Sequence, residues 1–219
     1  MATLTKRTAP RHDTMVDNVL SVWERSTADE RAHGATWYDD ARGHAALIAE
    51  LAGIDPIAGA AVIAVLSPQV EWSVNLREAY TLAIAYRDGT LPDANAFRAF
   101  QRNVDKAWGC LSMPDLWPEY VRGPKVSAFH RAIAGLAGGP VIDRHATRVA
   151  TGYGYDAVSN GAYRLVQSAY EDAALRVGVD VHTLQAATWI ACKRELASTI
   201  GQLVLGLVWP TRPSSYSGL

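Results

Sequence analysis

Lys125 and Asp143 are the two side chains whose types and spacing in this sequence best suit catalysis. A lysine amine becomes a nucleophile toward a carbon centre when its pKa is lowered, and a carboxylate stabilises positive charge that develops beside it. The two residues lie 18 positions apart, 143 minus 125. Each also has a simpler interpretation, because lysines are commonly solvated surface charges and an aspartate before a helix is commonly its N-cap.

The segment that holds both residues is locally basic. From Val121 to Ala150 there are five arginines and lysines against one aspartate, a balance of +4, while the whole chain carries −1 and the remainder therefore −5. Such a distribution says more about nucleic-acid binding than the total charge does. Gly123 sits in a turn ahead of a helix expected from Val126, whose free backbone N–H groups could bind a phosphate. A plain connection between two helices is the alternative.

Three sequence blocks carry a family resemblance. Gly123 to Ala128 and Ile142 to Val149 resemble the L-P-G-x-G-x-K-T-A hairpin and the V-D-T-H-V-x-R-V segment of the helix-hairpin-helix (HhH-GPD) DNA glycosylase superfamily, which includes endonuclease III. The Lys-to-Asp spacing equals that of the bifunctional members. Ala60 to Gln69, followed by Val74-Asn75, is similar to the family's buried helix that ends in L-S-x-Q and continues to V-N. The blocks cover a little under half of the chain.

The resemblance implies an all-α, two-lobed fold with a cleft between the lobes. It further implies a DNA glycosylase, with or without AP-lyase activity, that excises a damaged or modified base after flipping it out of double-stranded DNA. Asp143 and Lys125 would be catalytic. DNA-binding roles would fall to Gln69, Arg122, Gly123, Ser127, Arg144, His145 and Arg148. Gln69 would fill the gap left by the flipped base, or else cap the end of a buried helix.

The hairpin departs from the family pattern at several positions. Val121 and Tyr120 stand where the family has its first glycine and its proline, and Pro124 removes one N–H donor. The family's four-cysteine iron–sulfur cluster is missing, because Cys110 and Cys192 are the two cysteines in the chain. For these two cysteines, buried thiols are favoured over a disulfide. No metal site and no cofactor are expected.

A second resemblance concerns the source of the protein. Trp37-Tyr38, the Leu-Ser-Pro-Gln block and Ile142 to Ala146 resemble small proteins carried by bacteriophages. This resemblance implies modified phage bases as substrates and the host-cell cytoplasm as location. A cytoplasmic location also fits the absence of an apolar run near the N-terminus and of a stretch long enough to span a membrane.

The pattern of apolar residues predicts helices nearly throughout, because i, i+3, i+4 spacing recurs and strand alternation is almost absent. The expected helices are 14–25 (capped by Asp13 or Thr14), 38–52, 56–66, 74–87, 93–102, 114–120, 126–137, 144–151, 161–177 and 183–207. Residues 1–55 with 138–210 should form one lobe, and 56–137 the other, with the helix-hairpin-helix at about 114–137. Residues 211–219 are expected to be a flexible tail.

Other functions remain open from the sequence alone. An enzyme that modifies flipped phage bases could use the same fold, a catalytically inactive helix-hairpin-helix protein could use the hairpin only to bind DNA, and a structural interaction protein would bind no DNA. Four tryptophans match no position that can be identified in the family pattern, and we expect them mainly in the core: Trp72, Trp108, Trp117 and Trp189.

Overall fold

The computed structural model describes residues 2–93 and 96–208, with side chains described through residue 199. The chain is mostly helical, at 71% helix, which confirms the all-α prediction. Its α-helices are, in chain order, α1 (His12–Arg25), α2 (Ala28–Ala52), α3 (Pro56–Leu66), α4 (Trp72–Arg87), α5 (Gln101–Ser112), α6 (Trp117–Tyr120), α7 (Pro124–Ile133), α8 (Arg144–Ala150), α9 (Asn160–Val177) and α10 (Val181–Val208). A 3-10 turn, Pro114–Leu116, precedes α6. The expected tail at 211–219 lies outside the described residues.

The central helix α3 has the bounds that the sequence predicts. Asp55 caps it by accepting the backbone N–H of Ile57 at 2.7 Å, and Pro56 takes the first helical position, where its missing N–H leaves no bond unmade. Every residue from Ala58 to Leu66 is buried. The helix therefore packs on all sides, against α2, α4, α5 and α7.

Helix α2 begins ten residues earlier than expected, at Ala28 instead of Tyr38. Thr27 and Glu30 form a reciprocal capping box, in which the Thr27 hydroxyl accepts the Glu30 N–H and the Glu30 carboxylate accepts the Thr27 N–H. The helix ends at Gly53, which has a φ of 67°. Its length matters, because the added first half carries Trp37 and one wall of the site described below.

The helix predicted over 93–102 is wrong: α5 begins at Gln101. The buried carboxylate of Glu78, on α4, accepts the backbone N–H groups of Arg98 and Ala99 at 2.5 and 3.2 Å. These N–H groups are thereby bonded to a side chain of another helix and hold the segment before α5 in a non-helical path. The helix instead forms where Val104, Ala107 and Leu111 bury one face.

Other helix boundaries shift by smaller amounts. Helix α1 begins at His12, after Arg11, and neither Asp13 nor Thr14 acts as its cap. Helix α7 starts two residues before Val126 and ends at Ile133, because Gly135 turns the chain with a φ of 70°. One short sheet was not predicted: β1 (Thr3–Leu4) pairs in parallel with β2 (Ala157–Val158) and buries Leu4 completely.

Two close approaches of backbone bring α2 against its neighbours. A Cβ on Gly34 would lie 2.7 Å from the backbone nitrogen of Ala187 on α10, and a Cβ on Gly59 would lie 2.3 Å from the carbonyl oxygen of Ala45. Both contacts require glycine, because a side chain at either position would collide with the neighbouring helix. Helix α2 is thus packed directly on both α10 and α3.

Cys110 and Cys192 are both free and buried, which confirms the expected thiols. Among the described residues, no single helix is long and apolar enough to cross a bilayer. Helices α2 and α3 reach that length and apolar character only when they are taken together, and they are bent by 111° at the break between them.

Candidate active site

The turn before α7 places Lys125 at the second position of that helix. Gly123 precedes the helix with a φ of 89°, a conformation that side-chain-bearing residues rarely adopt. Pro124 fills the first helical position. The N–H groups of Lys125 and Val126 are therefore the donors left free by the helix at this end, because Ser127 N–H bonds to the carbonyl of Gly123.

Asp143 is the N-cap of α8, as its simpler interpretation predicts, and its carboxylate is held at both oxygens. Oδ1 accepts the backbone N–H of Ala146 at 2.8 Å. Oδ2 accepts the indole N–H of Trp189, on α10, at 3.0 Å. Each carboxylate oxygen can accept more than one hydrogen bond, so the group keeps acceptor capacity toward a ligand.

Lys125 is half-buried, and within the described part of the chain no hydrogen bond or ion pair engages its ammonium. Burial lowers its pKa, the nearby charge of Asp143 opposes that effect, and Arg144 adds to it. The amine is consequently easier to deprotonate than an exposed lysine. Unlike the surface charge that its residue type alone suggests, Lys125 borders a cavity.

Lys125 and Asp143 both line three neighbouring pockets, which together are called the cleft. The first, called the inner cavity, measures about 90 Å³ and is lined by aromatic and a few polar side chains. The second, called the mouth, measures about 280 Å³ and adds Gln69, Arg144 and His145. The third, called the side opening, measures about 250 Å³ and adds Gly123 and β2. The cleft thus brings together five of the side chains that the sequence singles out, and Gly123.

Four rings form a continuous wall of the inner cavity: Trp37, Trp72, Phe129 and Trp189. Trp37 is the centre of this aromatic wall, with ring centroids 5.0 Å from Trp72 and 6.0 Å from both Phe129 and Trp189. These are contact distances, so the rings support one another and present faces and edges to the cavity.

The prediction that the four tryptophans lie mainly in the core has a different outcome for different members of the set. Trp108 packs against Tyr86 and Trp117 against His130, both away from the cleft. Trp72 packs against the core as well as lining the inner cavity, whereas Trp189 lines that cavity and is not part of the core cluster, so the expectation is wrong for Trp189.

Besides Ser67, Lys125 and Asp143, the inner cavity has polar side chains from α2, α4 and α10. The Tyr38 hydroxyl donates to Oε1 of Gln185 at 2.6 Å, and both side chains are buried. Burial raises the pKa of Tyr38 well above its ordinary value, with the charge of Asp143 as a further cause. Asn75 donates through Nδ2 to the carbonyl of Ile63 at 3.1 Å, while its Oδ1 has no partner among the described residues.

The mouth holds His145 and Gln69 in constrained positions. The His145 ring lies edge-on to Trp189, with centroids 5.9 Å apart, and its Nδ1 is 3.7 Å from the Cys192 sulfur. Burial lowers its pKa, although the charge of Asp143 acts in the opposite direction. Gln69 is exposed and has a φ of 64°, a left-handed conformation that costs energy in a residue other than glycine.

Arg122, Ser127 and Arg148 do not line the cleft as the described residues define it. The Arg122 guanidinium pairs with Glu119, and the Ser127 hydroxyl faces the carbonyl of Val121 at 3.5 Å. The guanidinium of Arg148 lies 3.8 Å from Asp156. Arg144, in contrast, is exposed and has no ion pair in the described chain.

Seven aromatic or amide residues that line the inner cavity were not among the site candidates of the sequence: Trp37, Tyr38, Trp72, Asn75, Phe129, Gln185 and Trp189. Asn75 and the Trp37-Tyr38 pair lie in blocks already noted in the sequence, so their positions carried some signal. Gln185 and Trp189 carried none, because α10 reaches the cleft only through its packing on α2 and α8.

The described residues contain no group of three or more His, Cys, Asp or Glu side chains placed to hold a metal ion. A family model described as a family of unknown function (DUF7178) matches residues 1–196. No curated protein and no solved structure matches the chain.

Proposed function

This chain belongs to the DUF7178 family, and we propose that it is a DNA glycosylase with AP-lyase activity that excises a damaged or modified base. One observation carries the proposal: Lys125 and Asp143, from separate helices, both border the inner cavity and its mouth. The cavity measures about 90 Å³ and is bounded by aromatic rings, against which a planar heterocycle could stack.

The composition of the cleft also supports a two-lobed arrangement. Gln69, Trp72, Asn75 and Lys125 come from residues 56–137, whereas Trp37 and residues 143–145, 185 and 189 come from the segments before and after it. Side chains from both of the expected segments thus line the cleft, as a two-lobed arrangement would require, with Lys125 from one segment and Asp143 from the other.

Asp143 would act on the sugar by electrostatics. Breaking the bond between C1′ and the base leaves positive charge on the sugar, while the bonding electron pair departs with the base. A fixed carboxylate beside that sugar stabilises the charge without having to reorganise. The bonds from Ala146 and Trp189 supply this fixed orientation.

Lys125 would supply the nucleophile. Its neutral amine forms a bond to C1′ as the bond from C1′ to the base breaks, and one amine proton passes to the departing base. The bond from C1′ to the ring oxygen then breaks, that oxygen takes the second amine proton, and the resulting Schiff base permits strand cleavage. The pKa of Lys125, lowered by burial, raises the fraction of neutral amine. Because the side chain has no partner in the described chain, no ion pair must break before it attacks.

The mouth would bind the DNA around the flipped nucleotide. Arg144 is exposed and unpaired in the described structure, which suits a phosphate contact. Gln69 projects from a strained turn beside the cavity and would occupy the space that the base vacates. Gly123 has open space where a Cβ would stand, so a DNA strand could approach its backbone closely.

Borohydride trapping on a duplex with one abasic site tests the lyase step. We expect a covalent adduct with the native chain, none with Lys125→Ala, and an undiminished adduct with Lys106→Ala, a lysine on α5 outside the cleft. An adduct that persists in Lys125→Ala would remove Lys125 from the proposal.

A screen of duplexes that carry damaged and phage-type modified bases tests base release. Asp143→Asn should abolish release on the substrate found, while it keeps a side chain that can cap α8. Mass spectrometry of the oligonucleotides distinguishes the other candidates. A gain in mass without base loss indicates a base-modifying enzyme, and unchanged DNA with retained binding indicates a binding protein.

A further inference from the structure

Asn75 carries a buried acceptor that no group of the described protein uses. Its side chain is 1% exposed, and it lines the inner cavity. Nδ2 is engaged by the carbonyl of Ile63, which fixes the orientation of the amide and leaves Oδ1 as a pure acceptor. Buried polar atoms in folded proteins are nearly always paired, so such an atom in a cavity wall points to a ligand with a donor.

Most other polar side chains of the inner cavity are engaged by groups of the protein, and Lys125, which is not, is a donor in its ammonium form and so does not duplicate the acceptor of Asn75. The Tyr38 proton is directed to Gln185 Oε1, the Ser67 hydroxyl donates to the carbonyl of Ala64, and both Asp143 oxygens accept hydrogen bonds. Three more buried polar atoms lack partners in the described chain, on Asn103, Asp156 and His182, and none of these residues lines the inner cavity.

The charge of the cavity argues for a neutral ligand. Asp143 is the one carboxylate among the residues that line it, and its charge is shared with two protein donors. Lys125 borders the same space. The charges of the Lys125 ammonium and the Asp143 carboxylate balance, so the lining has no excess charge that would attract an ion, and a neutral base leaves that balance undisturbed.

We propose that the inner cavity binds a neutral purine or pyrimidine that donates a ring or exocyclic N–H to Oδ1 of Asn75, against the aromatic wall. The identification of the ligand as a DNA base rests on the proposed function. The hydrogen bond makes the cavity selective: a base whose donor nitrogen carries methyl groups in place of hydrogen leaves Oδ1 unpaired and collides with it.

The test uses the native chain and duplexes that each present one base opposite an abasic analogue. Bases are supplied in pairs that differ by methylation: deoxyuridine with N3-methyldeoxyuridine, deoxycytidine with its N4,N4-dimethyl form, and deoxyadenosine with its N6,N6-dimethyl form. Quenching of tryptophan fluorescence reports occupation of the cavity, because three tryptophans line it. Anisotropy of labelled duplex reports DNA binding as a whole. We expect at least one pair in which methylation weakens quenching by about tenfold or more.

Two asparagine variants locate the effect. Asn75→Ser keeps a donor near the Ile63 carbonyl but withdraws the acceptor from the cavity, and it should reduce the discrimination to about twofold or less. Asn103→Ser, a buried asparagine on α5 outside the cavity, should retain it. Circular dichroism of both variants establishes that they are folded.

The inference is overturned if every pair quenches equally, or if folded Asn75→Ser discriminates as the native chain does. Its failure is separable from that of the proposed function. Discrimination without base release leaves the cavity assignment intact and refutes the glycosylase, whereas base release without discrimination does the reverse.

Discussion

The indole N–H of Trp189 donates to Oδ2 of Asp143 across 46 residues of chain, at 3.0 Å. This hydrogen bond ties α10 to the first turn of α8. A backbone N–H from α8 itself holds the other oxygen. Trp189 therefore has two structural roles, since its ring forms part of the aromatic wall while its nitrogen orients the carboxylate.

Replacing Trp189 by phenylalanine should separate these roles. The ring remains, but Asp143 loses one of its two protein donors, and hydrogen bonds to charged groups are worth about 1.5–3 kcal/mol. We expect the single-turnover rate of base release to fall by about tenfold or more. Trp108→Phe, which alters a tryptophan away from the cleft, should leave the rate unchanged. Equal rates for both variants would show that the orientation of Asp143 does not depend on Trp189.

The pKa of Lys125 should respond in opposite directions to its two charged neighbours. Asp143 favours the ammonium and Arg144 disfavours it, so Asp143→Asn should lower the pKa further and Arg144→Gln should raise it. The rate of acylation of Lys125 against pH, followed by peptide mass spectrometry, gives the midpoint without relying on enzymatic activity. In the native chain the midpoint should lie below the ordinary lysine value of about 10.4. Shifts of the same sign in both variants would contradict the arrangement.

Arg144 and Arg122 offer a matched test of DNA contacts. Arg144 is exposed and unpaired in the described chain, whereas the Arg122 guanidinium pairs with Glu119. Arg144→Ala should weaken binding to duplex DNA and reduce the slope of log K against log salt by about 0.9, the value for one lost phosphate contact. Arg122→Ala should change both quantities less. The reverse order would place the phosphate contact on the hairpin turn.

Gln69 should show a conflict between stability and function. Its φ of 64° is unfavourable for a side chain, so Gln69→Gly should raise the free energy of unfolding by up to about 1 kcal/mol in urea titrations. Gln69→Ala keeps the strain and should bring no such gain. Both variants remove the side chain from the mouth and should lower base release alike. If either retains full release, Gln69 does not fill the vacated space.

One buried and two half-buried histidines should make the protein less stable in mild acid. Burial is the largest cause that lowers the pKa of His130, His145 and His182. A folded-state pKa below the unfolded value means that the unfolded chain binds more protons, so the free energy of unfolding falls as pH drops below about 6.5. Urea titrations at pH 7.5 and 5.5 measure the difference. His130→Gln should make it smaller, and an unchanged difference would assign the acid sensitivity to other groups.

The parts of the fold that were predicted from the sequence are those with local causes. Asp55-Pro56 marks the start of α3, Gly53 marks the end of α2, and Asp143 caps α8 as its position suggests. The errors arose where a residue distant in sequence determines where a helix begins. Glu78 binds the backbone before α5 from another helix, and that bond is invisible to any pattern within 93–102.

The candidate site divides in the same way. Lys125, Asp143 and Gln69 belong to short motifs and were found from them. Arg148 belongs to the same motif, but its guanidinium lies near Asp156 because the chain after α8 folds back against it. The aromatic wall is assembled from α2, α4, α7 and α10, so its members share a cavity without sharing any segment of sequence.

The contact between Gly34 and Ala187 has a consequence for how this site could change. Gly34 lies one helical turn before Trp37 and Tyr38, and Ala187 is two residues from both Gln185 and Trp189. The separation of α2 and α10, two of the helices that line the cavity, is therefore limited by the contact of one backbone with the other. A methyl group at position 34 would move whole walls apart without altering any residue that faces the ligand. The range of ligands that fit is thus adjustable from a position that no ligand touches.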